Sequence, residues 1–210
     1  TIFTEDFESG LNTQIWQMEE HEGAQATFEL NTDSESGNSS VLVKTIKNGT
    51  ATWHITFKNI GNSVKKDSIY ELYFRAKADA ATTLAVGFQR NNSPWTYYSG
   101  TTVDCTTNYK QFKILFKAPE NNVGQLRIAF RFDFHLGEFQ IDDVVFKEAS
   151  TAGLEENESF ENKNVRRLSF NEINGFAPQR VYDLTEFYIE TQIDFLQEMK
   201  VWLKDSLGVK

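Results

Sequence analysis

Apolar and polar residues alternate with a period of two in one segment after another along the first 148 residues. The clearest case is Leu126-Arg127-Ile128-Ala129-Phe130-Arg131-Phe132-Asp133-Phe134-His135. Segments 69–77, 84–89, 112–117 and 139–146 repeat it, and Val41-Leu42-Val43 and 51–57 are rich in β-forming residues. In a strand, successive side chains point to opposite faces, so each segment has one face for a core and one for something else. Turn-forming residues separate the segments: Asn48-Gly49, 59–63, Asn91-Asn92-Ser93-Pro94 and Asn121-Asn122. Many short strands at this spacing predict an all-β sandwich or jelly roll rather than a parallel α/β sheet. Eighteen Phe against three Pro suit such a core.

The chain leaves this pattern near residue 148. Residues 149–181 read as a polar connector with an acidic start at Glu155, Glu156, Glu158 and Glu161. Asp183 to Leu207 then reads as one long helix, with apolar residues at Leu184, Phe187, Tyr188, Phe195, Leu196, Met199, Trp202 and Leu203. Asp183 or Thr185 is the expected N-terminal cap, and Gly208 marks the end. The expected organisation is therefore a sandwich over 1–148, a connector over 149–181 and a C-terminal helix over 182–210.

Bulk properties narrow the partners. The net charge of −9 argues against nucleic acid or an anionic membrane. No stretch is long and apolar enough to span a bilayer. Cys105 is the only cysteine, so no internal disulfide forms, and a core of this size does without one in a secreted setting. The chain opens inside its first expected strand and shows no leader, which reads as a piece trimmed from a longer protein.

Alternation also assigns a second face. With Leu126, Ile128, Phe130, Phe132 and Phe134 inward, Arg127, Ala129, Arg131, Asp133 and His135 share the opposite side. Ala85, Gly87 and Gln89 lie opposite Leu84, Val86 and Phe88, and His54, Thr56 and Lys58 form a third outward row. Small residues let a flat ligand approach the backbone, while guanidinium, amide and imidazole groups make directed hydrogen bonds to hydroxyls. By pattern alone these rows fit a solvated sheet face better than a cleft.

A family resemblance reverses that weighting. The acidic opening Phe3-Thr4-Glu5-Asp6-Phe7-Glu8-Ser9-Gly10-Leu11 and the closing Phe139-Gln140-Ile141-Asp142-Asp143-Val144-Val145-Phe146 bracket the β unit. Between them stand Trp53-His54-Ile55-Thr56-Phe57, Phe74-Arg75-Ala76-Lys77-Ala78-Asp79-Ala80 and Pro94-Trp95-Thr96-Tyr97-Tyr98-Ser99. Together these resemble the carbohydrate-binding modules of the family 4, 9 and 22 type, jelly rolls that hold sugar chains for glycoside hydrolases. The resemblance covers residues 2–147. It implies a non-catalytic, monomeric module of a bacterial protein, secreted or at the cell surface, covalently linked to a glycoside hydrolase. Its expected ligand is a polysaccharide: β-glucan first (cellulosic or mixed-linkage), then xylan, then laminarin.

Carried over by position, the resemblance makes Trp53, Trp95 and Tyr98 the ring platforms for sugar. His54, Gln89, Arg127, Arg131 and His135 supply hydrogen bonds, with Glu138 as a weaker candidate. Trp53 shares parity with core residues, so it reads as half core and half cleft edge, while Trp16 reads as core. The two ends of such modules meet, and a structural calcium ion often bridges them. Glu8 and Asp142 match the metal-ligand positions, while a third side chain and the backbone donors, sought near Lys44, are not assigned by the sequence; strand-end capping or pairing with Lys is the other reading of these acids.

Other functions stay open at this level. Asp133 and Glu138 are the only cleft-row candidates for a glycan lyase or hydrolase, and they make an unconvincing acid–base pair. No catalytic metal spacing, nucleophile elbow or phosphate loop occurs. A protein-interaction sandwich is the remaining alternative. For the tail, Leu207-Gly208-Val209-Lys210 is weakly similar to the helix-to-strand joints of (β/α)8 glycoside hydrolases, and an amphipathic helix docked on the sandwich fits it equally well.

Overall fold

The computed structural model describes residues 1–132, 135–149, 153–155, 157–169, 173 and 176–208. Two compact units divide the chain, Thr1–Ala149 and Ser150–Lys210. Asp133 and Phe134 fall outside the described residues, as do Glu156, Val209 and Lys210.

The first unit is a two-sheet antiparallel sandwich. Its strands are β1 Phe3–Glu5, β2 Trp16–Glu20, β3 Gln25–Asn31, β4 Ser40–Lys47, β5 Ile55–Val64, β6 Ile69–Ala78, β7 Thr82–Arg90, β8 Tyr97–Cys105, β9 Lys110–Lys117, β10 Asn122–Arg131 and β11 Gly137–Glu148. One sheet runs β3-β4-β11-β6-β9 with β1 added on β11, and the other runs β2-β5-β10-β7-β8. The expected all-β class therefore holds. The first and last strands meet, because Phe3 pairs with Phe146 and Glu5 with Val144.

Alternation explains the core. Leu72, Phe74 and Ala76 of β6 face Phe130 and Ile128 of β10 and Val86 and Phe88 of β7, all fully or almost fully buried. Aromatic rings fill the interior. Phe88 stacks on Phe116 at 4.4 Å, and Trp16 stacks on Phe57 at 5.0 Å while tilting against Phe7 at 5.5 Å. Trp16 is thus core, as its position implies.

The closing strand departs from simple alternation. Phe139 and Ile141 are buried, and so are Val144 and Phe146, two sets of opposite parity. The pairing of β11 with β6 shifts register between Asp142 and Val145, and Asp143 sits in the left-handed region with φ 49°. One extra residue at this bulge lets both sets reach the core.

Three strands escape the sequence reading: β2, β3 and β8. Each lies at the edge of a sheet. β8 is largely exposed along its length, so no buried face imposes a period on it, whereas β3 does set Ala26 and Phe28 against the core.

The second unit is more ordered than a polar connector implies. Arg180 gathers it: its guanidinium donates to Glu158 at 2.6 and 2.9 Å, to the Gly153 carbonyl at 2.6 Å and to the Arg166 carbonyl at 2.9 Å. Phe176 lies under Arg180 at 4.8 Å and under Arg166 at 5.3 Å. Burial works to raise the Glu158 pKa, but the Arg180 bonds and the backbone N–H groups of Glu155 and Arg166 outweigh it and hold it at about 2. Because that value lies below the ordinary 4.5, the stabilisation is complete above pH 4.5 and is lost as pH falls through about 2. Replacing Arg180 with alanine should therefore raise amide exchange across 157–169 at pH 7 by at least about tenfold, read by hydrogen-exchange mass spectrometry. Unchanged exchange would show that Arg180 does not hold the segment.

Helix α1 runs Pro178–Leu207, 30 residues, and starts before the expected Asp183. Its first turn uses a proline, whose fixed φ suits a helix start and whose missing N–H costs nothing there. Asp183 and Thr185 lie inside the helix instead of capping it: Asp183 accepts from Gln179 Nε2 at 2.6 Å, and Thr185 Oγ1 donates to the Val181 carbonyl at 2.8 Å. Gly208 ends it in the left-handed region at φ 61°, its N–H bonded to the Leu203 carbonyl. Among the described residues no helix is long and apolar enough to cross a membrane.

Candidate functional site

The outer face of the β2-β5-β10-β7-β8 sheet carries a cavity of about 490 Å³. Register builds it row by row across the strands. Glu19 of β2, Thr56 of β5, Arg131 of β10 and Ala85 of β7 lie side by side. The next row is Lys58, Ala129, Gly87 and Gly100. A third brings together Arg127, Gln89 and Tyr97. Of the three outward rows read from the sequence, Thr56 and Lys58, Ala85, Gly87 and Gln89, and Arg127, Ala129 and Arg131 share one surface, with small residues as its floor.

Gln89 is the hub of this floor. Its Oε1 accepts from Arg127 Nε at 3.2 Å, Arg127 Nη2 at 2.7 Å and Arg131 Nη2 at 2.9 Å. Its Nε2 donates to the Trp95 carbonyl at 2.6 Å and so fixes the loop that carries that indole. Trp95 itself holds a left-handed φ of 58°, uncommon for a bulky side chain, and its N–H is tied to the Asn92 carbonyl at 2.7 Å.

Three rings stand round the cavity, each about half exposed: Trp53, Trp95 and Tyr97. Tyr97 lies across Gly87 and Gly100, where a Cβ at Gly87 would come within 2.7 Å of the ring and a Cβ at Gly100 would collide with its hydroxyl. The two glycines thus make the bed for the phenol. The Arg131 guanidinium sits 5.0 Å over that ring, and Arg127 sits 5.7 Å over Trp95.

Charges are paired on one side of the floor. Glu19 accepts from Arg127 Nη1 at 3.0 and 2.9 Å and from Lys58 Nζ at 2.5 Å. Burial works to raise the Glu19 pKa, but Lys58 and Arg127 outweigh it and hold the carboxyl below its ordinary value. Burial lowers the Arg131 pKa, and the neighbouring Arg127 adds to that effect.

Of the residues carried over from the resemblance, Trp53, Gln89, Trp95, Arg127 and Arg131 line this one cavity. Trp53 does not obey strand parity, because it stands in a 3₁₀ turn, Thr52–His54, ahead of β5.

His54 is placed elsewhere than the open face. It is buried, and its Nδ1 accepts the N–H groups of Thr50 at 3.0 Å and Ala51 at 3.3 Å, which makes Nε2 the protonated nitrogen. It shapes the turn under Trp53, whose ring it meets edge-on at 4.3 Å.

Tyr98 also points away from the cavity. The β7–β8 pairing passes from Phe88↔Ser99 to Gln89↔Tyr97, so Tyr98 is the extra residue of a bulge. Its ring stacks on Phe116 at 6.2 Å and its hydroxyl bonds Glu120 and Asn122. Tyr97 holds the cavity position instead. His135 pairs with Asp79 at 2.6 Å and lies edge-on to Phe139, beside the other sheet. Glu138 pairs with Lys44 at 2.9 Å on that sheet too.

Glu19, His21 and Tyr97 are cavity residues that the sequence reading passed over. Glu19 sits on edge strand β2, which is only five residues long, and the bulge hides Tyr97. The adjacent tyrosines were the one available signal. His21 packs against Trp53 at 5.2 Å.

The cavity holds one carboxylate among the described residues, Glu19, and two cations occupy it. Glycoside hydrolysis generally needs two carboxyls about 5–9.5 Å apart, one of them protonated. A carboxyl held below its ordinary pKa by Lys58 and Arg127 is a poor proton donor. Of the two acids expected from the sequence, Asp133 lies outside the described residues and Glu138 pairs with Lys44 on the other sheet.

Glu8 and Asp142 come to one loop, residues 35–39, but they face N–H groups. Glu8 Oε1 accepts from the Asn38 and Ser39 amides, both at 2.7 Å, and Oε2 from Asn38 Nδ2 at 3.4 Å. Asp142 Oδ2 accepts from the Glu35 and Ser36 amides at 3.0 and 3.2 Å, and Oδ1 from the Asp143 amide at 2.8 Å. Arg75 bridges Glu35 and Asp143 at 2.5 and 3.2 Å, so the acids nearby already have a cation. A calcium ion takes about six to eight oxygen ligands, and donor hydrogens aimed at all four carboxylate oxygens do not offer them. No group of three or more His, Cys, Asp or Glu side chains placed to hold a metal occurs among the described residues. In this arrangement the donor set does not fit calcium; the two acids act as clamps on the loop.

A sequence profile of the carbohydrate binding domain family CBM_4_9 matches residues 1–133. The chain belongs to this family. No curated protein matches the chain. Solved structures similar to the module include one titled "CBM4 structure and function", with 23% identity, 64% of this chain and 86% of that chain covered, and a TM-score of 0.56. The structure titled "BiXyn10A CBM1 APO" has 14% identity over 70% of this chain and 98% of that one, at a TM-score of 0.55. The CBM22-1 xylan-binding domain from Paenibacillus barcinonensis Xyn10C has 13% identity over 71% and 96%, at 0.52. At these identities the similarity establishes the sandwich fold. Family membership makes the module a carbohydrate binder, and the cavity on its outer sheet face brings rings and polar groups together.

Proposed function

We propose that this cavity is the sugar-binding cleft and that it grips an internal stretch of a polysaccharide chain. The observation that carries this reading is the set of three half-exposed rings, Trp53, Trp95 and Tyr97, around a floor whose Gln89 and arginines are held in place. Sugar C–H faces pack on such rings, while hydroxyls bond the fixed polar groups. Among neutral backbones β-glucan comes first and xylan second. The module delivers a covalently linked glycoside hydrolase to its substrate, in a bacterial protein that is secreted or held at the cell surface. The exposed apolar residues of α1, such as Phe195 and Trp202, fit an adjoining catalytic domain.

Affinity gel electrophoresis tests the cleft. Gels would contain hydroxyethyl cellulose, barley β-glucan, xylan, laminarin or glucomannan, with Trp95→Ala run alongside. Retardation by one or two glycans is expected, with at least about a tenfold loss of affinity in Trp95→Ala. Free migration of the native module on every gel would sink the reading.

A further inference from the structure

The cavity is cationic in a chain whose net charge is −9. Three cations, Arg127, Arg131 and Lys58, gather there around one carboxylate. Glu19 makes its direct contacts with Arg127 and Lys58 and acts on Arg131 only through space. Arg131 has no carboxylate partner among the described residues. Its hydrogen bond there is to a neutral acceptor, Gln89 Oε1, which Arg127 shares. Its Nε is buried without a partner, while one face of the guanidinium rests on Tyr97. A half-buried cation beside another cation is unfavourable unless an anion arrives.

We propose that the glycan held here carries an acidic group, and that Arg131 is the residue that receives it. This rests on the sugar-cleft reading above and adds the chemical class of the chain: a β-linked polysaccharide bearing carboxylate or sulfate. A planar guanidinium fork matches the oxygens of either group. A neutral sugar offers hydroxyls to the same fork but leaves its charge uncompensated. The acidic remainder of the protein repels polyanions in general, so attraction is confined to the cleft.

Matched polymers separate the possibilities. Isothermal titration of the whole chain in 150 mM NaCl would compare glucuronoxylan with its carboxyl-reduced form, and sulfated carrageenan with its desulfated form. At least one acidic member should bind about tenfold or more tightly than its neutral twin, and which pair does so identifies carboxylate or sulfate. Arg131→Gln should erase that difference, so that each acidic member and its neutral twin bind the variant equally. A urea melt checks that this variant is folded. If it is not, the native protein decides: raising NaCl from 50 to 500 mM should weaken the acidic member and spare the neutral one.

Equal or weaker binding of both acidic members, with neutral glycans still bound, overturns this inference and leaves the cleft reading standing. An acid preference that survives Arg131→Gln overturns it as well. Absence of binding to every polymer, neutral ones included, removes the cleft reading itself.

Discussion

Trp16→Ala should lower the stability of the sandwich by about 3–5 kcal/mol, the range for deleting a large buried aromatic. The indole is fully buried and lies among four phenylalanines: Phe57 at 5.0 Å, Phe7 at 5.5 Å, Phe3 at 6.3 Å and Phe130 at 6.4 Å. These rings come from β1, the following loop, β5 and β10, so one side chain ties both sheets to the N-terminal strand. Its Nε1 also donates to Glu5 Oε2 at 3.3 Å, which would lose that partner. A domain stability of about 5–15 kcal/mol makes such a loss a large fraction of the total. Urea unfolding should show a lower midpoint with the slope unchanged. Trp53→Ala, at a half-exposed ring, should move the midpoint far less. Equal shifts in the two variants would contradict this account of the core.

Glu19→Gln should be the second large effect. The side chains of Lys58 and Arg127 are 8% and 9% exposed, and both use Glu19 as their anion. Removing that charge while keeping the shape leaves two nearly buried cations beside Arg131. Breaking a buried pair on one side costs about 3–5 kcal/mol. The effect carries a pH signature. The folded pKa of Glu19 is held below its ordinary value of 4.5, so its contribution is complete above pH 4.5 and fades as pH falls through the lower folded value. Urea midpoints should therefore differ most at pH 7, and the gap between native and variant should narrow below pH 4.5. A gap that stays constant with pH would show that the carboxylate charge is not what Lys58 and Arg127 depend on.

The sequence was most legible where one face is buried. β6, β7 and β10 alternate because Leu72, Phe74, Val86, Phe88, Ile128 and Phe130 must reach the core. The same rule placed Arg127, Arg131 and Gln89 on one surface before any coordinates. It fails where burial does not discipline the chain. Edge strand β2 is only five residues long and edge strand β8 is largely exposed, and with them went Glu19 and Tyr97. A local irregularity also defeats parity: the bulge at Tyr98 turns that ring inward, and the turn at Thr52–His54 frees Trp53 from the strand period while burying His54. The helix starts before its apolar spacing does, for a related reason. Apolar spacing begins inside the helix, whereas Pro178 and Gln179 are legible only as first-turn chemistry.

The uneven placement of the four tryptophans makes the module its own optical reporter. Trp16 is sealed among phenylalanines and should emit at short wavelength whatever is bound. Trp53 and Trp95 meet solvent at the cavity, so a chain laid across them would shield both from aqueous quenchers and shift their emission to the blue. Trp202 belongs to the second unit and supplies a constant background that ends with residue 149 if the sandwich is studied alone. Occupancy of the cleft is therefore readable in unlabelled protein, against an internal standard buried in the same sandwich.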